Sequence, residues 1–174
     1  MQMAFLIYEG LTSLDIIGPY EVLARIPDAE VHFVALEAGE LRVDTGAFGF
    51  AVDHALGDVP RPEVFVIPGG LQGTFAAAQD QRILSWVRGA HQHSRFSTSV
   101  CTGSLILGAA GLLRGLTATT HWAAKAMLAQ HGATYSEQRV VRAGRIVTAA
   151  GVSSGIDMAP VSYTHLTLPT IRRG

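Results

Sequence analysis

The chain has 174 residues, 48% of them hydrophobic and 16% charged, with 13 basic against 14 acidic side chains. That length supports one domain with a substantial core, and the charge balance leaves no basic surplus to attract nucleic acid or an anionic membrane. No signal peptide and no apolar run of the ~18 residues that a spanning helix needs is visible. A single cysteine excludes an intrachain disulfide, so a soluble cytoplasmic protein is expected.

Met3 to Tyr8 is a continuous apolar run of the kind that forms a strand buried on both faces. Thr12 to Ile26 carries a helical pattern interrupted by Gly18 and Pro19. Proline suits a first helical turn, so the main helix is expected to start near Pro19. Asp15 would then lie between the strand and that helix, at the carboxyl edge of the sheet. Val31 to Leu36 reads as a second strand. Residues 39–56 read as a polar ribbon with a turn at Asp44, Thr45 and Gly46. Val64 to Ile67 is another buried strand, stopped by Pro68, Gly69 and Gly70. Gln79 to His93 reads as a helix with Ile83, Leu84, Trp86 and Val87 inward.

Phe96 to Val100 is a strand of β-branched and small residues, and helical spacing begins at Thr102. Thr117 to Thr120 is expected as a short strand, and His121 to Gln130 as a helix stopped at Gly132. Tyr135 to Val141 and Arg145 to Ala149 form a strand pair turning at Ala143 and Gly144. Gly151 to Ala159 begins a final helix. Strands alternating with helices imply right-handed crossovers, and hence a flavodoxin-like α/β sandwich with a mostly parallel sheet. Residues 1–160 are assigned to this domain. Pro160 and Pro169 oppose helix formation and the last fourteen residues lack a 3.6-residue period, so 161–174 is expected to be an atypical tail outside the domain.

Cys101 sits at the corner where strand becomes helix. A one-residue reversal of that kind strains the backbone and projects the side chain beyond the carboxyl end of the sheet, the geometry of a nucleophile elbow. The nearby helix N-terminus is expected to lower the thiol pKa and favour thiolate. The competing reading is a small buried hydrophobe. Ligands of such sheets sit beyond the strand carboxyl ends, where Asp15 and the Gly69–Gly70 loop also converge. That loop is either a plain turn or part of an oxyanion hole, with Gly70 N–H and Thr102 N–H as donors. Asp15, in an apolar setting, is either a helix cap or a buried acid whose pKa rises so that it carries and delivers a proton.

Thr102 cannot act as a base, which disfavours Cys–His hydrolase chemistry. Among the seven histidines, His121 alone follows a strand on the functional side; it either touches the site or is structural. No zinc-type ligand spacing and no phosphate-binding Gly-Lys-Ser/Thr loop occurs in the chain.

Five motifs carry a resemblance: Asp15-Ile-Ile-Gly18-Pro19, Ile67-Pro-Gly-Gly70, Ser99-Val-Cys101-Thr-Gly-Ser104, Ala118-Thr-Thr-His-Trp122 and Gly151-Val-Ser-Ser-Gly-Ile-Asp157. Together they resemble the ThiJ/PfpI superfamily, which is glutamine amidotransferase-like, and within it the isocyanide hydratases. The resemblance implies a cofactor-independent lyase that hydrates isocyanides to N-substituted formamides through a Cys101 thioimidate. Asp15 would handle the proton, Thr102 would hold substrate or water, and the Gly69–Gly70 loop and His121 would face the substrate. It also implies a homodimer acting on a small molecule, with a longer final helix than Pro160 would allow here. The same motifs are similar to the amidase-like sensor domains of arabinose-regulator-type transcription factors, which would need a DNA-binding module beyond these residues. Other cysteine-dependent activities of the superfamily are the third expectation.

Overall fold

The computed structural model describes residues 1–167, with side chains through Val161. In chain order the elements are β1 (Gln2–Leu6), α1 (Leu14–Leu23), β2 (Glu30–Ala35), β3 (Gly39–Arg42), β4 (Gly49–Val52), β5 (His54–Ala55) and β6 (Val64–Ile67). There follow α2 (Leu71–Ala77), α3 (Gln81–His93), β7 (Phe96–Val100), α4 (Gly103–Ala109) and β8 (Thr117–Ala118). The chain continues through α5 (Lys125–Gln130), β9 (Thr134–Tyr135), β10 (Val140–Ala143), β11 (Ile146–Ala149) and α6 (Ser154–Thr167).

Seven strands form the main sheet in the spatial order β10-β11-β7-β6-β1-β2-β5. All neighbours are parallel except β10 and β11, which form an antiparallel hairpin turning at Gly144. The five central strands β2-β1-β6-β7-β11 have the flavodoxin-like order, which reverses direction between β1 and β6. The apolar runs explain why these strands are central. Every residue of β6, β7 and β11 is buried, as is every residue of β1 after Gln2. α1 packs on α6 over one face, and α4 packs with α2, α3 and α5 over the other. Asp80 caps α3 by accepting the Arg82 N–H at 2.8 Å, and Ile83, Leu84, Trp86 and Val87 are buried as their spacing predicts. The 39–56 ribbon is the β3–β4 hairpin plus the short edge strand β5. Among the described residues no helix is long and apolar enough to cross a membrane.

Two expectations based on proline are corrected. α1 starts at Leu14 with Pro19 inside it, so Asp15 belongs to the first helical turn rather than to a preceding loop. α6 runs through Pro160 to Thr167, so that proline does not stop the last helix. A proline inside a helix removes one i→i−4 bond and costs roughly 3 kcal/mol. Packing overrides that cost at both sites. Ile16, Leu23, Met158 and Ala159 lie in the core, and the helices approach closely where Gly18 faces Ile156 and Gly155 faces Pro19. Part of the 161–174 tail is therefore helical; residues 168–174, with Pro169, lie outside the described residues. The seven-residue α2 after Gly70 was not foreseen, because its alanine-rich stretch has no apolar stripe.

Candidate active site

β7 ends at Val100, α4 starts at Gly103, and the whole reversal falls on Cys101. Its φ is +57°, a left-handed conformation that costs a residue with a β-carbon roughly 1–2 kcal/mol. Three hydrogen bonds hold it there. Cys101 N–H donates to the Ala149 carbonyl at 2.9 Å, and the Cys101 carbonyl accepts from the hydroxyls of Thr120 at 3.1 Å and Ser104 at 3.3 Å. The elbow is thus fixed by β11, by the segment after β8 and by its own helix. Of these, Thr120 had no separate signal in the sequence beyond its place before His121.

Asp15 has no exposed surface. Its Oδ2 accepts the Gly69 N–H at 2.9 Å, while Oδ1 has no hydrogen-bond partner among the described residues. Gly69 separates this acid from the elbow. A β-carbon placed on Gly69 would lie 2.8 Å from Asp15 Oδ2, 2.8 Å from the β-carbon of Cys101 and 2.7 Å from Thr102 N. At most twice 2.8 Å therefore separates the carboxyl oxygen from the base of the cysteine side chain, across a gap that only glycine leaves open.

Burial governs the titration of both groups. Desolvation raises the Asp15 pKa from 3.8 to about 7, against the Gly69 hydrogen bond and the thiol, which lower it. The carboxylate of Asp44, which accepts a 2.7 Å hydrogen bond from Thr12, adds to the rise. The expectation of a raised carboxyl pKa holds. The expectation of a thiolate favoured by the helix N-terminus does not. Cys101 is 7% exposed, and desolvation, then the Asp15 charge, pushes its pKa from 9.0 up to about 12. The Thr102 N–H acts in the opposite sense, as would the Thr102 hydroxyl were its proton turned toward sulfur, and both are outweighed. At neutral pH the sulfur is a thiol beside a half-titrated acid.

The Gly69–Gly70 loop differs from the picture of free amides. Gly69 N–H serves Asp15, and Gly70 N–H donates to Thr102 Oγ1 at 3.1 Å. Both glycines are required by backbone contacts: a β-carbon on Gly70 would collide with the Gly10 carbonyl and lie 2.8 Å from the Leu11 α-carbon. Thr102 continues into a buried run of hydroxyls. Its Oγ1 is 2.8 Å from Thr74 Oγ1, which is 3.0 Å from Tyr8 Oη, and Tyr8 donates to the Pro68 carbonyl at 2.6 Å. Tyr8 and Thr74 were not singled out from the sequence. Tyr8 read only as the last residue of an apolar run, and Thr74 lay in the unforeseen α2.

His121 is placed beside the elbow rather than in it. Its Nδ1 accepts the Ala123 N–H at 3.3 Å, and its ring lies 5.3 Å from that of Trp122. Both line a cleft of about 440 Å³ with Thr120, Tyr135, Arg139 and the segment from Ala150 to Ser154. Thr120 belongs both to this cleft and to the bonds holding Cys101. Among the described residues no group of three or more His, Cys, Asp or Glu side chains is arranged to hold a metal ion.

Comparison with known proteins gives this arrangement a context. The chain is 41% identical over 159 residues to an isonitrile hydratase of Pseudomonas putida, an alignment covering 91% of this chain and 69% of that protein. The crystal structure of a ThiJ/PfpI family protein from Pseudomonas syringae superposes with a TM-score of 0.91 at 37% identity, over 95% of this chain and 68% of that one. The Drosophila melanogaster DJ-1beta structure shares the fold, with a TM-score of 0.84 at 20% identity over 94% and 89% of the two chains. The DJ-1/PfpI family matches residues 1–163, Pro160 included, and the chain belongs to that family.

Proposed function

We propose that the protein hydrates isocyanides, R–N≡C, to N-substituted formamides through a covalent intermediate on Cys101. The observation that carries this reading is the buried pair of Cys101 and Asp15 facing each other across Gly69. The 41% identity to an isonitrile hydratase supports it.

The terminal carbon of an isocyanide accepts an electron pair and, once attacked, becomes a base. In the proposed reaction Cys101 passes its proton to ionised Asp15 as the sulfur bonds that carbon. Asp15 then delivers the same proton to the carbon, leaving the thioimidate Cys–S–CH=N–R. Asp15, ionised again, draws a proton from water as the water oxygen bonds the thioimidate carbon. Collapse of that adduct breaks the C–S bond, sends one proton to nitrogen and one to sulfur, and releases R–NH–CHO. Asp15 at about pH 7 suits a group that both takes and gives a proton near neutrality. Thr102 N–H steadies charge at the elbow, and Gly70 N–H acts one step removed by holding the Thr102 hydroxyl. The R group extends toward the cleft lined by His121 and Trp122. Two copies of the chain are proposed to form the working unit, as a homodimer.

Incubation with an alkyl and an aryl isocyanide, followed by chromatography for the matching formamide, tests the reading. Product from wild type and none from Cys101→Ala is expected. Folded wild-type protein with a free thiol that makes no formamide would refute it.

A further inference from the structure

Each hydroxyl has one proton to donate, and that constraint fixes the direction of the buried run from Tyr8 to Thr102. The Pro68 carbonyl carries no proton, so Tyr8 spends its own on that 2.6 Å bond. Burial raises the phenol pKa, so Tyr8 remains a donor throughout the working pH range. In the 3.0 Å contact with Thr74, Tyr8 must therefore accept, and Thr74 spends its proton there. Between Thr74 and Thr102, 2.8 Å apart, the proton must then come from Thr102. If Thr102 donated instead to the Gly70 carbonyl at 3.2 Å, two oxygens 2.8 Å apart would face each other with no proton between them. Gly70 N–H occupies one acceptor position of the Thr102 oxygen at 3.1 Å. What remains of the Thr102 hydroxyl, beside the Cys101 thiol, is a single lone pair.

We propose that Tyr8 is a positioning residue for Cys101 chemistry: through Thr74 it turns the Thr102 hydroxyl so that its oxygen meets the elbow only as a hydrogen-bond acceptor. Two consequences follow. Thr102 can accept from the thiol at rest, or from water in the second half of the reaction, orienting a water lone pair toward the thioimidate. It cannot donate to a thiolate, and so contributes to keeping the sulfur protonated until Asp15 takes its proton. The residues involved are all buried: Thr74 has no exposed surface, and Tyr8 and Thr102 are under a tenth exposed. Solvent has little access with which to reset the direction.

The role of Thr102 in turnover rests on the hydratase reading, but the direction of the run can be measured without any isocyanide. Alkylation of Cys101 by iodoacetamide across pH 7–11 reports its thiolate. In Tyr8→Phe, Thr74 loses its acceptor and is free to donate to Thr102, which releases the Thr102 proton toward sulfur. In Thr74→Val, Thr102 loses the same acceptor directly. Both variants are expected to alkylate about tenfold faster at pH 8, the scale of one hydrogen bond to a charged group. Thr74→Ser, which keeps the hydroxyl, is expected to retain the wild-type profile. With formamide production as a second readout, Tyr8→Phe and Thr74→Val are expected to lower kcat with KM little changed. Unchanged or slower alkylation in both folded variants would overturn the proposal, leaving Tyr8 as a core hydrogen bond. Wild type that makes no formamide would remove the hydratase reading and leave the alkylation result to decide the direction of the run.

Discussion

Replacing Asp15 by asparagine is expected to make the protein more stable above neutral pH while removing its activity. The carboxyl titrates near 3.8 in an unfolded chain and at about 7 in the fold. Below the first value both states hold the proton, and the group leaves stability unaffected. Between the two values the folded chain keeps a proton that the unfolded chain has released, so stability falls as pH rises, and the loss is complete above about 7. At ~1.4 kcal/mol per unit, that gap amounts to at most ~4 kcal/mol, a large share of a typical domain's margin of roughly 5–15 kcal/mol. The asparagine side chain would not titrate, and its amide oxygen can still accept the Gly69 N–H. Urea unfolding of both proteins at intervals from pH 4 to pH 8, with linear extrapolation to water, reads the difference directly. The variant should gain on wild type as pH rises, reaching up to ~4 kcal/mol, and formamide production should be absent at every pH. A difference that stays flat to within about 1 kcal/mol across this range would mean that Asp15 is not held as a buried acid, and the proton-transfer role would go with it.

Other substitutions test the geometry around that pair. Gly69→Ala should push Asp15 and Cys101 apart, because its β-carbon would lie under 3 Å from both; a loss of ~1–3 kcal/mol in urea and a near-complete loss of turnover are expected. Gly89→Ala in α3, where nothing lies within 4 Å, serves as the contrast and should gain ~0.5–1 kcal/mol. Cys101→Gly and Cys101→Ala should both be inactive, but the glycine variant should unfold at higher urea, by ~1 kcal/mol, since the φ of +57° strains alanine and not glycine. Pro160→Ala restores a helical N–H inside α6 and should raise the thermal midpoint, with a gain of up to ~3 kcal/mol.

Much of the fold was legible because the relevant signals are local. Apolar runs gave β1 and β6, and a stretch of β-branched and small residues gave β7, each to within two residues, while the 3.6-residue period gave the buried face of α3. The corner at Cys101 was readable for the same reason, since strand and helix patterns meet there. Proline misled at positions 19 and 160, where a local penalty is outweighed by contacts between α1 and α6 that lie far apart in sequence. Site chemistry followed the same division. Asp15 stood out as an acid among apolar neighbours, and burial, the largest cause of its raised pKa, follows from that setting, whereas the added charge of Asp44 does not. The thiol pKa did not follow from the helix N-terminus beside it, because that effect is local, whereas the desolvation comes from the whole packed rim. Nor did any pattern mark Thr74, whose role depends on α2 meeting the loops after β1 and β7.

The high thiol pKa bears on what kind of reactant this site suits. A cysteine held at about 12 contributes almost no thiolate at neutral pH, so an electrophile that depends on a standing thiolate would react slowly here. In the proposed mechanism the reactive unit is the pair, in which sulfur attacks only as its proton moves to Asp15. Such a unit favours a substrate that returns the proton as part of the same event, because an Asp15 left protonated cannot take the next one. In the proposed reaction the isocyanide carbon meets both demands, accepting the sulfur's electrons and then the proton on the same atom. A carbonyl carbon takes the electrons but leaves the proton for its oxygen, which must lie within reach of a different donor. Gly69 N–H and Gly70 N–H, the loop amides that could serve such an oxygen, are already bonded to Asp15 and Thr102. The hydrogen bonds that prepare the acid thus favour proton delivery to a carbon attached to sulfur over stabilisation of an oxyanion.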